Sequence, residues 1–257
     1  MPDSLRFGLL GKSLTHSHSP ALFAEKFKQK GLDSASYSLF ELDKITRFPE
    51  WIQELEAQKG AISGLNVTVP YKESILPFLA DLTPEAQAIG AVNAIKYAPG
   101  IGWIGHNTDA VGFLNSIRPF LRSDHERALI IGNGGAAKAV RHGLQSLGVQ
   151  VAHVTRNEVD WPSVRFDSLS PEAVQHYKLV VQCTPVGTYP KVNDSVPFPW
   201  SGMTPQHLVV DLIYNPAETK FLREARSKGA ETMNGKDMLY AQAEAACAGT
   251  GRESQQG

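Results

Sequence analysis

The 257-residue chain has little of several features whose abundance would decide its class. It contains only two cysteines, Cys183 and Cys247, whose spacing fits no disulfide framework, so we expect reduced thiols in a cytoplasmic protein. Its 25 lysines and arginines nearly balance its 26 aspartates and glutamates, which removes the bulk electrostatic case for binding nucleic acid or an anionic membrane. The eight histidines are scattered without cysteine or carboxylate partners, so no metal site is predicted.

Long hydrophobic runs are also missing. No apolar stretch reaches the roughly 18 residues that a membrane-spanning helix needs. Residues 1–11 lack the apolar stretch and the small-residue cleavage site of a signal peptide. Apolar residues nevertheless make up 42% of the chain and charged residues 20%, which is enough to build a buried core. The composition therefore predicts a soluble globular protein of the cytoplasm.

Short apolar runs alternate with helical patterns in two successive series, which predicts α/β architecture with helices on the faces of parallel sheets. In the first series we predict strands at Phe7–Leu10, Tyr37–Phe40 and Leu65–Val69, and helices at Ala21–Lys30 and Ile45–Gln58. In the second we predict a helix at Ala136–Leu147 and strands at Ala128–Ile131, Val149–Thr155, Leu179–Cys183 and Leu208–Leu212.

The stretch between the two series contains Pro99-Gly100, which indicates a hairpin turn, and the two predicted domains join near Asp109. Prolines between residues 157 and 177 argue against a full-length helix there. The polar tail after Ala246 is expected to fray. Two consecutive α/β units of similar size predict two domains.

A glycine-rich turn in the second series carries the clearest motif, Gly132-Asn133-Gly134-Gly135-Ala136-Ala137, placed between a predicted strand and a predicted helix. Gly132 permits the tight turn, Gly134 lets the backbone approach a pyrophosphate, and the small Ala137 allows close helix packing. The diphosphate would lie on free N–H groups at the positive end of the helix. An ordinary tight turn would use the same residues, but the strand-before, helix-after context favours a dinucleotide site.

The end of the next strand bears on which dinucleotide binds. NAD enzymes place a carboxylate there, about 20 residues after the glycines, to hold the ribose hydroxyls. Here the strand is followed by Arg156, whose planar charged fork suits a 2′-phosphate. Glu158 is a competing carboxylate beyond the turn, and a solvated loop arginine is the plainer interpretation of Arg156. The pattern favours NADP.

Four segments carry polar residues that a plain α/β core does not need. Ser17 and Ser19 stand at a predicted helix start, where they either hold a carboxylate or cap the helix. Asn66 and Thr68 point to one face of a predicted strand that leads to Lys72, which is typical either of a polyol site or of a half-solvated strand. The remaining segments are Gly90–Ala94 and Gly105–Asp109, and Asp109 is either a functional carboxylate beside the domain junction or a helix cap.

Taken in order, these motifs resemble the shikimate dehydrogenase family over almost the whole chain. The order is Ser-x-Ser-Pro, Asn-Val-Thr-Val-Pro-Tyr-Lys, Gly-Ala-Val-Asn, Asn-Thr-Asp, Gly-x-Gly-Gly-Ala and, near the end, Gly235–Leu239 with Ala241-Gln242. The family reversibly reduces 3-dehydroshikimate to shikimate with NADPH, in the route to chorismate and the aromatic amino acids. The resemblance implies an N-terminal α/β substrate-binding domain of residues 1–108 plus 236–257, and a Rossmann-type doubly wound NADP-binding domain of residues 109–235.

The resemblance also implies roles for individual residues. Lys72 and Asp109 look like the catalytic pair. The implied substrate ligands are Ser17, Ser19, Asn66, Thr68, Asn93, Tyr214 and Gln242. The implied cofactor positions are Gly132, Gly134, Gly135, Ala136, Arg156, Thr184 and Gly235. The partner implied is a small-molecule substrate, and monomer and homodimer both remain open.

Two alternative functions remain beside this one. A dehydrogenase that also takes quinate, with relaxed use of NAD and NADP, is the nearest; family members of that kind often replace the second serine with threonine, so Ser19 favours shikimate. A non-catalytic dinucleotide-binding regulator would keep the glycine turn without needing Lys72 and Asp109.

Overall fold

The structure is a computed structural model that describes residues 5–15, 17–156 and 162–248. The chain divides into two compact units, Met1–Thr108 with Ala243–Gly257 and Asp109–Gln242. Glu158 and the residues after Ala248 lie outside the described residues, so the expectations about them stay predictions, whereas Cys247 and Ala248, which were expected to fray, are the last two residues of a helix. No helix in the described ranges is long and apolar enough to cross a bilayer.

The first unit is built on a six-stranded mixed sheet in the order β2-β1-β3-β5-β6-β4. Its strands are β1 (Arg6–Gly11), β2 (Ser36–Glu41), β3 (Gly64–Val67), β4 (Asp81–Leu82), β5 (Ala94–Ala98) and β6 (Gly102–His106). Its helices are α1 (Ser19–Gln29), α2 (Phe48–Lys59), α3 (Tyr71–Ser74) and α4 (Pro84–Ile89). Strand β1 pairs in parallel with β2 and β3, whereas β5 runs antiparallel to both β3 and β6.

The predicted hairpin is confirmed, because β5 and β6 pair across Pro99-Gly100 and Gly100 adopts a φ of +80°. The predicted strand Leu65–Val69 is wrong at its end, since β3 stops at Val67. The Thr68 N–H still donates to the Leu10 carbonyl (2.9 Å), but the Thr68 carbonyl accepts from Tyr71 N in a turn (2.8 Å). Pro70 has no N–H with which to continue the ladder.

The second unit is built on a six-stranded, wholly parallel sheet in the order β12-β11-β10-β7-β8-β9. Its strands are β7 (Arg127–Ile131), β8 (Gln150–Thr155), β9 (Ser163–Arg165), β10 (Leu179–Gln182), β11 (Leu208–Asp211) and β12 (Glu231–Asn234). Its helices are α5 (Asp109–Ile117), α6 (Gly135–Ser146), α7 (Pro171–His176) and α8 (Lys220–Ser227), and α9 (Lys236–Ala248) runs from this unit into the first.

Both faces of the second sheet are covered. Ile130 packs in one buried cluster with Phe113 and Leu144, whereas Leu129 packs in a second cluster with Phe221. Such two-sided burial explains why its central strands read as continuous apolar runs. Counted from β7, the strand order is 3-2-1-4-5-6, the order of dinucleotide-binding doubly wound folds, so the predicted fold class is confirmed.

The last described turns of α9 are tied to α1 by ion pairs within the first unit. Glu244 accepts from Lys26 Nζ at 2.6 Å and from Lys30 Nζ at 2.9 Å. These two bonds hold the pKa of Glu244 down, at about 2. The Lys26 side chain is only 9% exposed, so the pair gives this buried cation its counter-charge.

Candidate active site

The two serines of the first unit stand just before and at the first residue of α1. The N-cap of α1 is His18, which makes no side-chain capping bond, so neither serine is the N-cap. Ser17 Oγ accepts from the Ser19 N–H at 3.2 Å. The hydroxyl proton of Ser17 is therefore not needed for that bond and can be donated to a ligand.

A chain of hydrogen bonds joins β2, β3 and the segment before β5. The Tyr37 hydroxyl donates to Asn66 Oδ1 at 2.9 Å, and Asn66 Nδ2 donates to the Asn93 carbonyl at 3.3 Å. The buried Asn93 side chain in turn exchanges bonds with Thr108, accepting from its N–H at 2.7 Å and donating to its Oγ1 at 2.9 Å. Two predicted residues, Asn66 and Asn93, are thus held in one network, and Tyr37 is a member that the sequence reasoning missed.

Lys72 lies in the short helix α3, directly after the turn that ends β3. Its carbonyl accepts from the Val92 N–H at 2.8 Å, which ties the α3 backbone to the segment that carries Asn93. The Lys72 side chain is half-buried. The structure therefore places Thr68 and Lys72 on adjacent turns of one segment, next to the strand that carries Asn66.

The glycine turn of the second unit has the geometry that a dinucleotide loop requires. Gly132 adopts a φ of +114°, and a Cβ there would lie 3.2 Å from Thr184 Cγ2. Gly134 is the N-cap of α6 in extended conformation, and a Cβ there would meet nothing within 4 Å. The helix N-terminus is thus open to a ligand, whereas Ala137 is buried against the sheet.

The meeting of Gly132 and Thr184 marks the topological switch point of the sheet. They follow β7 and β10, neighbours whose connections leave in opposite directions, and ligands of such sheets bind at this crevice. His153 on β8 supports the turn, since its Nδ1 lies 2.8 Å from the Gly132 carbonyl. Burial lowers the pKa of His153, which keeps the ring neutral, with Nδ1–H as the donor. A histidine inside an apolar strand was the available signal for this support.

A second buried network lies beneath the loops that carry Thr184 and Tyr214. Gln182 donates to the Thr184 and Val186 carbonyls and accepts from the Thr184 N–H. Asp211 accepts from Thr219 Oγ1 at 2.6 Å and from Ile213 N at 3.0 Å. Both side chains are fully buried at the ends of β10 and β11.

The remaining predicted residues of the second unit differ in their exposure to solvent and in what they pack against. Arg156 directly follows β8 and is exposed. Gly235 has a packing reason for lacking a side chain, because a Cβ would lie 1.9 Å from the Leu212 carbonyl oxygen. Gln242 on α9 packs against α5, where a Cβ on Gly112 would lie 2.8 Å from Gln242 Cβ. Asp109 is buried and begins α5.

The predicted residues therefore fall into two groups. The first unit holds Ser17, Ser19, Asn66, Thr68, Lys72 and Asn93. The second holds Asp109, Gly132, Gly134, Gly135, Ala136, Arg156, Thr184, Tyr214, Gly235 and Gln242. Among the described residues no group of three or more His, Cys, Asp or Glu side chains could hold a metal ion. The first group supplies hydroxyl, amide and ammonium functions, and the second includes the glycine turn between β7 and α6.

Comparison with known proteins identifies the family of the chain. The family model of the shikimate dehydrogenase substrate-binding domain matches residues 9–95. A protein of Desulforamulus reducens named shikimate dehydrogenase (NADP(+)) is 38% identical over 256 residues, covering 91% of this chain and 86% of that protein. The chain belongs to the shikimate dehydrogenase family.

Solved structures of the shikimate dehydrogenase family share the fold. The Thermus thermophilus shikimate 5-dehydrogenase, in complex with NADP(H) and shikimate, is 33% identical with a TM-score of 0.83, over 96% of this chain and 93% of that one. The quinate dehydrogenase of Corynebacterium glutamicum, in complex with NAD, is 26% identical with a TM-score of 0.78, over 95% of this chain and 92% of that one.

Proposed function

We propose that this protein is an NADP-dependent shikimate dehydrogenase, which reversibly reduces 3-dehydroshikimate to shikimate on the route to chorismate. The observation that carries the proposal is the family membership over nine-tenths of the chain, with a relative named for this activity and cofactor. The first unit is the substrate-binding domain in this proposal, and the second is the NADP-binding domain.

The residues of the second unit fit a dinucleotide. The diphosphate lies on the N–H groups at the start of α6, where Gly134 leaves open space and Gly135 and Ala136 add no bulk. Thr184 and Gly235 would flank the nicotinamide end. Arg156 would hold the 2′-phosphate, since its guanidinium is exposed directly after β8. When bound, NADPH supplies the hydride.

The residues of the first unit bind the substrate. Ser17 and Ser19 hold the carboxylate, and the hydroxyl of Ser17 is left with a proton to donate. Asn66, Thr68 and Asn93 hold the ring hydroxyls. From the second unit, Tyr214 and Gln242 complete the set of substrate ligands.

Lys72 and Asp109 are the proposed catalytic pair. Reduction of the ring ketone builds negative charge on the carbonyl oxygen, and an ammonium stabilises that charge and donates the proton. Lys72 supplies this ammonium in the proposal, and Asp109 orients it and the reacting hydroxyl. In the reverse direction Lys72 accepts the proton of the shikimate hydroxyl.

We further propose that the enzyme acts in the cytoplasm as a monomer or homodimer, on small molecules only. Cys183 and Cys247 are both free thiols, which fits a reducing compartment. The near balance of acidic and basic residues gives no general attraction for nucleic acid.

A spectrophotometric assay of the purified protein tests the proposal, with shikimate or quinate as substrate and NADP or NAD as oxidant. Rapid reduction with shikimate and NADP, and slow reduction in the other three combinations, is the expected result. Comparable rates with quinate or NAD would replace it by the relaxed-specificity alternative. Folded protein without activity in any combination would favour a non-catalytic dinucleotide-binding protein.

A further inference from the structure

One side chain of the first unit contacts a proposed substrate ligand without being one itself. The Tyr37 hydroxyl donates to Asn66 Oδ1 at 2.9 Å. This contact joins strand β2 to strand β3 across β1. Tyr37 therefore lies beside a proposed ligand of the ring hydroxyls.

The direction of this bond follows from proton counting, because a phenol has a single proton to donate. Burial raises the pKa of Tyr37, and the nearby Ser19 side chain opposes that rise only in part. Tyr37 thus stays protonated at working pH, and its single proton goes to Asn66 Oδ1.

The Asn66 amide is consequently fixed at both ends. Its oxygen receives the tyrosine proton, and one N–H of Nδ2 points to the Asn93 carbonyl at 3.3 Å. A flipped amide would set its oxygen against that carbonyl and would remove the acceptor of Tyr37. The second N–H of Nδ2 is the donor left for a ligand.

The tyrosine ring is itself held in place. Tyr37 stacks on Phe23 of α1, with ring centroids 4.2 Å apart and an interplanar angle of 8°. Phe23 is buried. Since this stacking needs no hydroxyl, removing the oxygen atom alone leaves the ring where it is.

We propose that Tyr37 is a positioning residue, whose hydroxyl locks the Asn66 amide so that an N–H faces a ring hydroxyl oxygen of the substrate. This inference rests on the proposed function and deepens it. The lock means that Asn66 binds as a donor. A substrate hydroxyl that must donate at this point is disfavoured, because the amide cannot turn its oxygen toward it.

The Tyr37→Phe variant tests the lock, because it keeps the stacked ring and removes one of the two hydrogen bonds that hold the amide. We expect the KM for shikimate to rise about tenfold, equivalent to about 1.4 kcal/mol. The KM for NADP and kcat should each change less than about twofold, since uniform binding of the substrate is what is lost. The control Tyr97→Phe makes the same change on β5, where the tyrosine is 46% exposed, and should behave as wild type.

A double-mutant cycle separates positioning from general loosening. In the Asn66→Ala background, Tyr37→Phe should change the KM for shikimate by less than about twofold, because the amide that it positions is gone. An undiminished tenfold effect in that background would overturn the inference. So would a Tyr37→Phe enzyme with wild-type KM, provided that wild-type protein oxidises shikimate with NADP. Wild-type protein without that activity would overturn the proposed function itself.

A second variant serves if Tyr37→Phe lowers the melting temperature so far that its kinetics are unusable. Asn66→Asp keeps an acceptor for Tyr37 but replaces the N–H donor by an oxygen. We expect the KM for shikimate to rise at least tenfold, and the melting temperature to fall because the introduced oxygen faces the Asn93 carbonyl. An Asn66→Asp enzyme with unchanged KM would contradict the donor role.

Discussion

The chemistry proposed for Lys72 depends on its ammonium group and not on its backbone, which the bond between its carbonyl and Val92 already fixes. Lys72→Met keeps the length of the stem and removes the charge. We expect kcat to fall by about 10²–10⁴, the usual contribution of a positioned acid, while the KM for shikimate changes little. The measurement is steady-state kinetics in both directions, with the exposed Lys28→Met as control. A Lys72→Met enzyme with near-normal kcat would remove Lys72 from the catalytic pair.

The cofactor preference is also argued at one residue. If Arg156 grips the 2′-phosphate, Arg156→Ala should raise the KM for NADP about 10- to 100-fold, the range of a charge-assisted hydrogen bond. The KM for NAD, which has no 2′-phosphate, should barely change. Arg165→Ala is a matched control, because Arg165 is exposed at the end of the next strand and is bonded to Asp167 at 3.1 Å. Equal losses with both cofactors would return Arg156 to an ordinary surface arginine.

At the scale of elements, the end of β11 holds a buried carboxyl whose titration should change the free energy of unfolding with pH. Burial raises the pKa of Asp211 from 3.8 to about 6, although the bonds from Thr219 and the Ile213 N–H oppose it. Because the folded-state pKa is raised, the stabilising contribution is fully present below pH 3.8 and is lost as the pH rises through about 6. A shift of this size is equivalent to about 3 kcal/mol.

We therefore expect Asp211→Asn to gain stability relative to wild type between pH 4 and pH 7, by up to about 3 kcal/mol. Urea unfolding at several pH values measures it, and Asp33→Asn, at an exposed carboxylate, should show no such gain. A constant difference across this pH range would contradict the burial argument.

Elements with a strong local signal were predictable from sequence, and pairings between distant elements were not. Gly132 and its flanking strand and helix follow from local chemistry, as does the hairpin at Gly100, because each needs only its own neighbours. Tyr37 gave no signal beyond strand propensity, since its bond to Asn66 depends on β2 and β3 lying on either side of β1. The early end of β3 was missed because Val69 continues an apolar pattern that Pro70 breaks.

The same limit applies to the buried network of Gln182 and Asp211. Each residue ends an apolar run, so its position in the chain was visible, but its hydrogen bonds reach loops further along the chain. The candidate site was predictable as a set of residue types in order. Which of those side chains already satisfy one another, as Asn93 and Thr108 do, depended on the structure.

At the scale of the whole molecule, the buried clusters of the two units have no residue in common. Ile75 and Leu129 are fully buried members of the first and the second unit's clusters. Truncating either to alanine removes packing and leaves a cavity, at a cost of about 2–5 kcal/mol. We expect Ile75→Ala to lower the free energy of unfolding of the first unit and Leu129→Ala to lower that of the second.

Ligands make this separation measurable by calorimetry. A ligand at 100 times its Kd stabilises the unit that holds it by about 2.7 kcal/mol. Under the proposed function, NADP should therefore raise the temperature of the unfolding transition that Leu129→Ala lowers. It should leave the temperature of the transition that Ile75→Ala lowers nearly unchanged. Shikimate alone should raise chiefly the temperature of the transition that Ile75→Ala lowers, because most of the proposed substrate ligands lie in the first unit. A single transition that both variants and both ligands shift alike would mean that the two cores unfold as one.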